Sequence, residues 1–235
     1  MTSPPAPTRG LAVVTGANRG LGLGVVRRLA ARGHPVVLGA RDATRGHDAA
    51  ADLPGDVTVR ALDVADQGSV DALAAWVRAE HGALEILVNN AGVHYDTGQT
   101  AIGADLAIAE EALAVNALGA WRTVVACADL LPHGARVVMV SSGAGSFGET
   151  RGGGGVPAYS VSKAALDMVT VKLAADLRPR GVLVNAVCPG WVATDMGGAG
   201  GRPVDAGVDS ILWAVDLPPD GPTGTFTRDG RTVPW

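Results

Sequence analysis

Two side chains at the start of one helical stretch have the types and spacing to move a proton. Tyr159 and Lys163 stand four residues apart in Tyr159-Ser160-Val161-Ser162-Lys163. That spacing puts both on one helix face, one turn apart. A free tyrosine titrates near a pKa of about 10 and is a poor acid or base at neutrality. A cation beside it favours the phenolate and lowers that value. Lys163 could supply that charge and also bind a ribose hydroxyl. The chain has only two tyrosines and two lysines among 19 basic residues, so this pair is hard to assign to an ordinary solvated helix face. Ser142 follows the apolar run Arg136–Val140, which reads as a strand. Its hydroxyl could polarise a carbonyl oxygen from a neighbouring strand end.

A second group of residues could hold a dinucleotide. The strand-like run Leu11–Thr15 leads directly into Thr15-Gly16-Ala17-Asn18-Arg19-Gly20-Leu21-Gly22, and a helical pattern follows over Leu21–Arg32. Gly16, Gly20 and Gly22 permit a tight turn, so backbone N–H groups can approach a pyrophosphate at a helix N-terminus. The spacing is Gly-x-x-x-Gly-x-Gly rather than Gly-x-Gly-x-x-Gly. Asp63-Val64 ends a later strand. Asp63 could meet an adenine amino group, or it could cap the helix that starts near Gly68. Asn89-Asn90-Ala91-Gly92 ends another strand. Its amides could bind cofactor and backbone, or the run could be a plain turn.

These residues need a frame, and the hydrophobic pattern supplies one. Strands are expected at Leu11–Thr15, Pro35–Gly39, Val57–Leu62, Leu84–Val88, Arg136–Val140, Val182–Val187 and, weakly, Gly224–Thr227. Helices are expected at Leu21–Arg32, Val70–Glu80, about Ala104 to Leu130, Ala158–Leu177 and Asp205–Val215. Val70, Leu73, Ala74 and Val77 show the i, i+3, i+4, i+7 stripe. Alternating strands and helices predict an α/β fold: a Rossmann-type, doubly wound parallel sheet in three layers. No composition shift marks a boundary, so residues 9–235 read as a single domain. Met1 to Thr8, with three prolines, reads as an extended tail without a signal sequence. The glycine-rich stretches Gly143–Gly155 and Gly197–Gly201 both follow strand ends, where α/β sheets bind ligands.

The composition narrows the function classes. Hydrophobic residues at 47% and charged residues at 18% exclude a wholly disordered chain. A net charge of −4 argues against a non-specific nucleic-acid partner. No uninterrupted apolar run reaches membrane-spanning length, so no membrane partner is expected. Cys127 and Cys188 form no metal-ligand pattern, so no metal is expected and reduced thiols in a cytoplasmic protein are.

With these motifs together, the chain resembles the short-chain dehydrogenase/reductase family. Thr15–Gly22 matches its TGxxxGxG, Asn89–Gly92 its NNAG, Tyr159–Lys163 its YxxxK and Ser142 its catalytic serine. Asn116 matches the helix asparagine that completes a Ser-Tyr-Lys-Asn tetrad, and Cys188-Pro189-Gly190 the PG motif beside the nicotinamide. The resemblance implies cofactor contacts from Gly16, Asn18, Arg19, Gly20, Leu21, Gly22, Arg41, Asp63, Val64, Asn90, Ala91, Gly92, Tyr159, Lys163, Pro189, Gly190, Val192 and Thr194. A closer likeness, in Gly39–Gly46, Cys188–Met196 and the segment from Leu217 to Trp235, points to NADPH-dependent carbonyl reductases. Unlike the monomeric animal members, the chain has only Ala144 to Pro157 between Ser142 and the tyrosine helix.

The implied reaction is hydride transfer to a ketone, aldehyde or quinone, with Tyr159 as proton donor. Ser142 would polarise the oxygen, Lys163 would depress the tyrosine pKa, and Asn116 would anchor a relaying water. His94, Tyr95 and Trp191 fall where substrate contacts belong, or they pack under loops. An NAD-dependent alcohol dehydrogenase and a non-catalytic dinucleotide-binding protein remain alternatives.

The coenzyme is expected to be NADPH/NADP+. The family's acid position at the end of the second strand falls on Ala40, and Arg41 follows it. Arginine's planar fork suits a 2′-phosphate, and Arg19 is a second cation on that side. Asp42 is expected to turn away or to pair with a neighbouring arginine. The helices Ala104–Leu130 and Ala158–Leu177 are apolar around most of their circumference, so each is buried on more than one side, and the family resemblance implies that they form the face of a homodimer or homotetramer.

Overall fold

A computed structural model describes residues 9–150 and 155–235. The tail expected at residues 1–8 and the middle of the first glycine-rich loop, 151–154, lie outside the described residues. Eight strands form one sheet: β1 Ala12–Val14, β2 Val36–Ala40, β3 Val57–Ala61, β4 Ile86–Asn89, β5 Arg136–Val140, β6 Leu183–Val187, β7 Phe226–Arg228 and β8 Arg231–Thr232. Their order across the sheet is β3-β2-β1-β4-β5-β6-β7-β8. All pairs are parallel except β7 with β8. The chain winds one way from β1 to β3 and the other way from β4 onward, so a crevice opens between the carboxyl ends of β1 and β4.

Helices cover both faces: α1 Gly20–Ala31, α2 Ala43–Ala50, α3 Gln67–Glu80, α4 Leu106–Ala112, α5 Ala120–Cys127, α6 Pro157–Leu177 and α7 Val204–Val215. One apolar layer buries Val25, Val26 and Leu29 of α1 with Val208, Ile211 and Leu212 of α7 against Val14, Val36 and Val138. The other buries Val70, Leu73 and Val77 of α3 with Val124 of α5 and Leu166 of α6 against Val13, Leu87 and Met139. The central strands are buried along their whole length, which explains their near-continuous apolar runs.

The structure refines the expected elements in four places. The connection from β2 to β3 holds α2, whose Thr, Arg, Gly and His residues blur its apolar stripe. The helix near Gly68 starts at Gln67, and its cap is Asp66, which accepts from the Ser69 N–H. The long helix starts at Leu106, after the Asp105 cap, and Leu113–Gly119 forms a wider π segment within it. The last strand is Phe226–Arg228, and it turns back into β8. Leu106–Leu130 is also long and apolar enough by composition to cross a membrane. Its inward residues join the core beside α3 and α6.

Candidate active site

Every residue expected at the site, apart from the buried Gly22 and Asn116, lines a single cleft of about 1620 Å³ at the carboxyl ends of the strands. The glycine loop forms its floor on the β1 side. Gly16 and Gly20 have φ of 61° and 55°, backbone that favours glycine. A Cβ on Gly16 would lie 2.7 Å from the Ala91 Cα, and one on Gly22 2.5 Å from Asn90 Nδ2. The loop therefore rests directly on the Asn90-Ala91 backbone. Asn90 Nδ2 donates to the carbonyls of Thr15 and Gly16 at 2.9 and 3.0 Å. The Asn90 and Ala91 N–H groups both donate to Thr15 Oγ1 at 3.0 Å. So the Asn90 amide braces the loop.

No side chain caps α1, so its N-terminus opens to the cleft beside Asn18 and Arg19. Such an end, with its positive dipole, suits a phosphate. Arg19 Nη1 pairs with Asp195 Oδ2 at 2.8 Å, tying the glycine loop to the loop that follows Pro189 and Gly190. Arg41 is exposed on the cleft wall. Asp42 caps α2, accepting from the N–H groups of Thr44 and Arg45 at 2.9 and 3.2 Å, and its second oxygen lies 3.5 Å from Arg45 Nε. This is the arginine pairing expected for it. Asp63 accepts from the Ala65 N–H at 2.9 Å, which shapes the bend at the end of β3 rather than capping α3. Asp63 and Val64 both face the cleft, as do Leu21, Val192 and Thr194.

The reacting group gathers on the β4–β6 side. Asn116 sits on the π segment, 1% exposed, and is committed on both ends. Its Oδ1 accepts from the Val93 N–H at 2.7 Å, and its Nδ2 donates to the Val93 carbonyl and to Ser162 Oγ, both at 2.9 Å. Gly92 lies between it and Lys163: a Cβ there would be 3.2 Å from Asn116 Oδ1 and 3.7 Å from Lys163 Nζ. Lys163 Nζ donates to the Val140 carbonyl at 2.8 Å and stands 5.6 Å from the Tyr159 ring centroid. Ser142 Oγ accepts from the Ala144 N–H at 3.2 Å, at the first turn after β5.

Burial dominates the electrostatics. It pushes the Tyr159 phenol up to about 12, with hydrogen bonding from Ser142 pulling the other way. It pulls Lys163 down to about 8, against the attraction of Asp167 and Cys188. The sequence-based expectation that Lys163 depresses the tyrosine is therefore not what this structure shows. The ammonium donates to the Val140 carbonyl and makes no hydrogen bond to the phenol, and desolvation of Tyr159 outweighs its attraction.

Of the expected substrate residues, His94 lies deepest, its ring 4.7 Å from the Tyr159 ring and tilted by 34°. Tyr95 and Trp191 sit at the rim, 53% and 67% exposed. Trp191 Nε1 donates to the Gly197 carbonyl at 2.6 Å, so the indole also braces the second glycine-rich loop. Three neighbours were not anticipated: Asp96, Ser162 and Asp167, all buried. Ser162 lies inside the YxxxK run, but nothing in the sequence pairs it with Asn116. Asp96 is on a segment whose approach to Tyr159 depends on the fold, whereas Asp167 stands one helical turn past Lys163, a spacing the sequence does show.

The short chain dehydrogenase family matches residues 10–202. The chain belongs to this family. Carbonyl reductase (NADPH) 1 of Bos taurus is 34% identical over 277 aligned positions, covering 96% of this chain and 98% of the relative. That span exceeds the 235 residues of this chain, so the relative carries extra residues. A granaticin polyketide synthase putative ketoacyl reductase of Streptomyces violaceoruber is 40% identical over 80% of this chain and 75% of its own length. Among solved structures, an NADPH-bound carbonyl reductase from chicken fatty liver superposes with a TM-score of 0.85 at 29% identity, covering 97% of this chain and 99% of the other.

Proposed function

We propose that this chain is an NADPH-dependent reductase of ketones, aldehydes or quinones in which Tyr159 donates the proton. One observation carries the reading: a glycine cradle under an uncapped helix N-terminus and the Ser142, Tyr159 and Lys163 side chains share one cleft. The cradle suits the coenzyme, since a Cβ on Gly16 or Gly22 would collide with the backbone or amide beneath it. NADPH bound there supplies a hydride to the carbonyl carbon. Arg41 and Arg19 are the cations for its 2′-phosphate, and Arg19 has to exchange Asp195 for it. Asp42 is spent on capping α2, which counts against an NAD-specific site.

In the reductive direction the phenol must carry its proton, and near 12 it does so throughout the neutral range, although that affinity makes it a weaker acid than a free tyrosine. Ser142 orients the carbonyl oxygen toward that proton. Lys163 binds the ribose and recharges the phenol, and with a pKa of about 8 it exchanges protons readily near neutrality. Asn116 holds Val93 and Ser162, and so fixes the segment after Gly92 against the tyrosine helix. Positioned proton transfer of this kind contributes about 10²–10⁴ in rate.

The second copy of the chain is proposed to dock on α4, α5 and α6. Leu106, Trp121, Val125, Val161 and Met168 are exposed there at 71, 43, 61, 56 and 57%. A dimer or tetramer in light scattering at micromolar concentration is the expected result, and a monomer removes the assembly. Both cysteines are free and buried, which fits a reducing, cytoplasmic setting. The test of activity is NADPH consumption against a panel of aldehydes, ketones and quinones, repeated with NADH. Turnover with none of them, or a preference for NADH, overturns the reading.

A further inference from the structure

Asp96 has no part in the chemistry described so far. It lies in the segment after β4 and is 1% exposed. Its Oδ2 accepts from the Ala158 N–H at 2.6 Å and from the Tyr159 N–H at 3.3 Å. Its Oδ1 has no hydrogen-bond partner among the described residues and stands 3.8 Å from His94 Nε2, which lies 3.5 Å from Thr97 Oγ1.

The helix that carries Tyr159 has no cap of its own. Val156 precedes it without a side-chain hydrogen bond, and Pro157 at its first position has no N–H to satisfy. The amides of Ala158 and Tyr159 are thus among the first that need an acceptor, and Asp96 supplies it across 62 residues of chain. A carboxylate at this end also faces the positive pole of the helix. The same carboxylate lies beside His94, whose ring is against the Tyr159 ring.

We propose that Asp96 is a positioning residue for proton transfer. One of its oxygens fixes the backbone of Tyr159, and the other faces, without bonding it, the imidazole that lies against the tyrosine ring. The inference rests on Tyr159 being the proton donor. It gives the segment after Gly92 a reason to be ordered: Val93 is held by Asn116, and Asp96 holds the catalytic helix. The groups facing the phenol are Ser142 after β5, Cys188 after β6, Lys163 and Asp167 on α6, and His94 and Asp96 after β4. The charge of Asp96 is one of those that raise the phenol. Its removal therefore eases ionisation.

The test compares Asp96→Ala and Asp96→Asn in the full chain. Hydrogen exchange of the Ala158 and Tyr159 amides is followed by NMR. The ring carbons of the two tyrosines are labelled, and Tyr159→Phe assigns the signals. In Asp96→Ala both amides should exchange about tenfold faster, the equivalent of one lost hydrogen bond. Its kcat should fall between about tenfold and a hundredfold, the scale of a misplaced donor, with NADPH affinity unchanged. Asp96→Asn keeps an acceptor and loses the charge. It should retain slow exchange and most of kcat, while the Tyr159 ring signal starts toward its phenolate position at lower pH than in the wild type. Wild-type exchange, ring signal and kcat in Asp96→Ala overturn the proposal. If Asp96→Ala does not fold, Asp96→Ser, whose shorter side chain falls short of the two amides, takes its place, and wild-type exchange and kcat there overturn it. Failure of the wild type to reduce any carbonyl sinks the assigned function instead, and the exchange and ring-signal measurements still decide the positioning.

Discussion

The two halves of the cleft rest on the same strand ends and are built differently. On the β1–β3 side the polar groups are paired. Asn90 and Thr15 share four hydrogen bonds with the glycine loop and with each other's backbone, and Asp42 and Asp66 cap their helices. On the β4–β7 side, buried polar atoms without a partner accumulate among the described residues: Asn89 Oδ1, Asp96 Oδ1, Ser141 Oγ, Thr227 Oγ1 and both oxygens of Asp167. An unsatisfied buried group costs about 1–3 kcal/mol. The first half is thus a rigid cradle for a charged ligand. The second holds ionisable groups out of water, where their proton affinities are displaced: Tyr159 to about 12, Lys163 to about 8 and Asp167 to about 7. Lys163 and Asp167 are thereby moved toward neutrality, where protons are exchanged, and a cradle needs no such shift.

The largest effect expected from this division is at Tyr159. Tyr159→Phe removes the hydroxyl and leaves the ring against His94. It should lower kcat by about 10²–10⁴ while NADPH still binds. Steady-state kinetics with a fluorescence titration of NADPH checks both. Loss of binding with turnover intact would break the division. The mirror experiment is Arg19→Ala with Arg41→Ala. Charge-assisted hydrogen bonds contribute about 1.5–3 kcal/mol each, so the preference for NADPH over NADH in kcat/KM should fall by about 10² or more. kcat with saturating NADPH should stay near wild type. Breaking the Arg19–Asp195 pair should cost little stability, because both side chains are largely exposed, at 68% and 74%.

The cradle was easier to read in the sequence than the displaced groups, for a physical reason. A glycine loop between a strand and a helix is local: Thr15 to Gly22 form it from consecutive residues, and Ala40-Arg41-Asp42 reads the same way. Tyr159 and Lys163 stand out in the same way, because they share one helical turn, whereas Asn116 is marked only by the family resemblance. Burial was not. Whether Lys163 bonds the phenol or the Val140 carbonyl depends on how deep α6 sits on β5, and no spacing reports that depth. The π segment that turns Asn116 toward Val93 has no distinguishing composition in Leu113–Gly119. The cap from Asp96 links residues 62 positions apart and follows from topology alone.

A third variant tests whether the cradle's strength lies in its hydrogen bonds. Asn90→Ala removes both side-chain donors to the Thr15 and Gly16 carbonyls. Those oxygens lie at half-buried positions, so the loss should destabilise the fold by about 2 kcal/mol in urea unfolding. NADPH affinity should fall with it. A variant as stable as the wild type, with full NADPH affinity, would show that the glycine turn holds itself.

The smallest expected effect is a pH dependence of stability from Asp167. Burial raises its carboxyl to about 7, with the neighbouring Ser141 hydroxyl and then Lys163 pulling the other way. Unfolded, an aspartate titrates near a pKa of about 4. Between those values the folded chain binds a proton that the unfolded chain has lost, so this group's contribution is full below about 4 and is lost as pH rises through about 7. Asp167→Asn has no such proton to lose. Relative to the wild type it should therefore gain stability between pH 5 and 7.5, on the order of 1 kcal/mol. Lys163 acts in the same direction. Without its counter-charge the buried ammonium is driven lower than 8, and holding it charged costs the variant more at pH 5 than at 7.5. Urea unfolding of both proteins at the two pH values measures the difference directly. A gap between variant and wild type that is the same at pH 5 and 7.5 would mean that neither Asp167 nor Lys163 changes its proton binding across this range, and the contrast with the cradle would then rest on Tyr159 and the unpaired atoms alone.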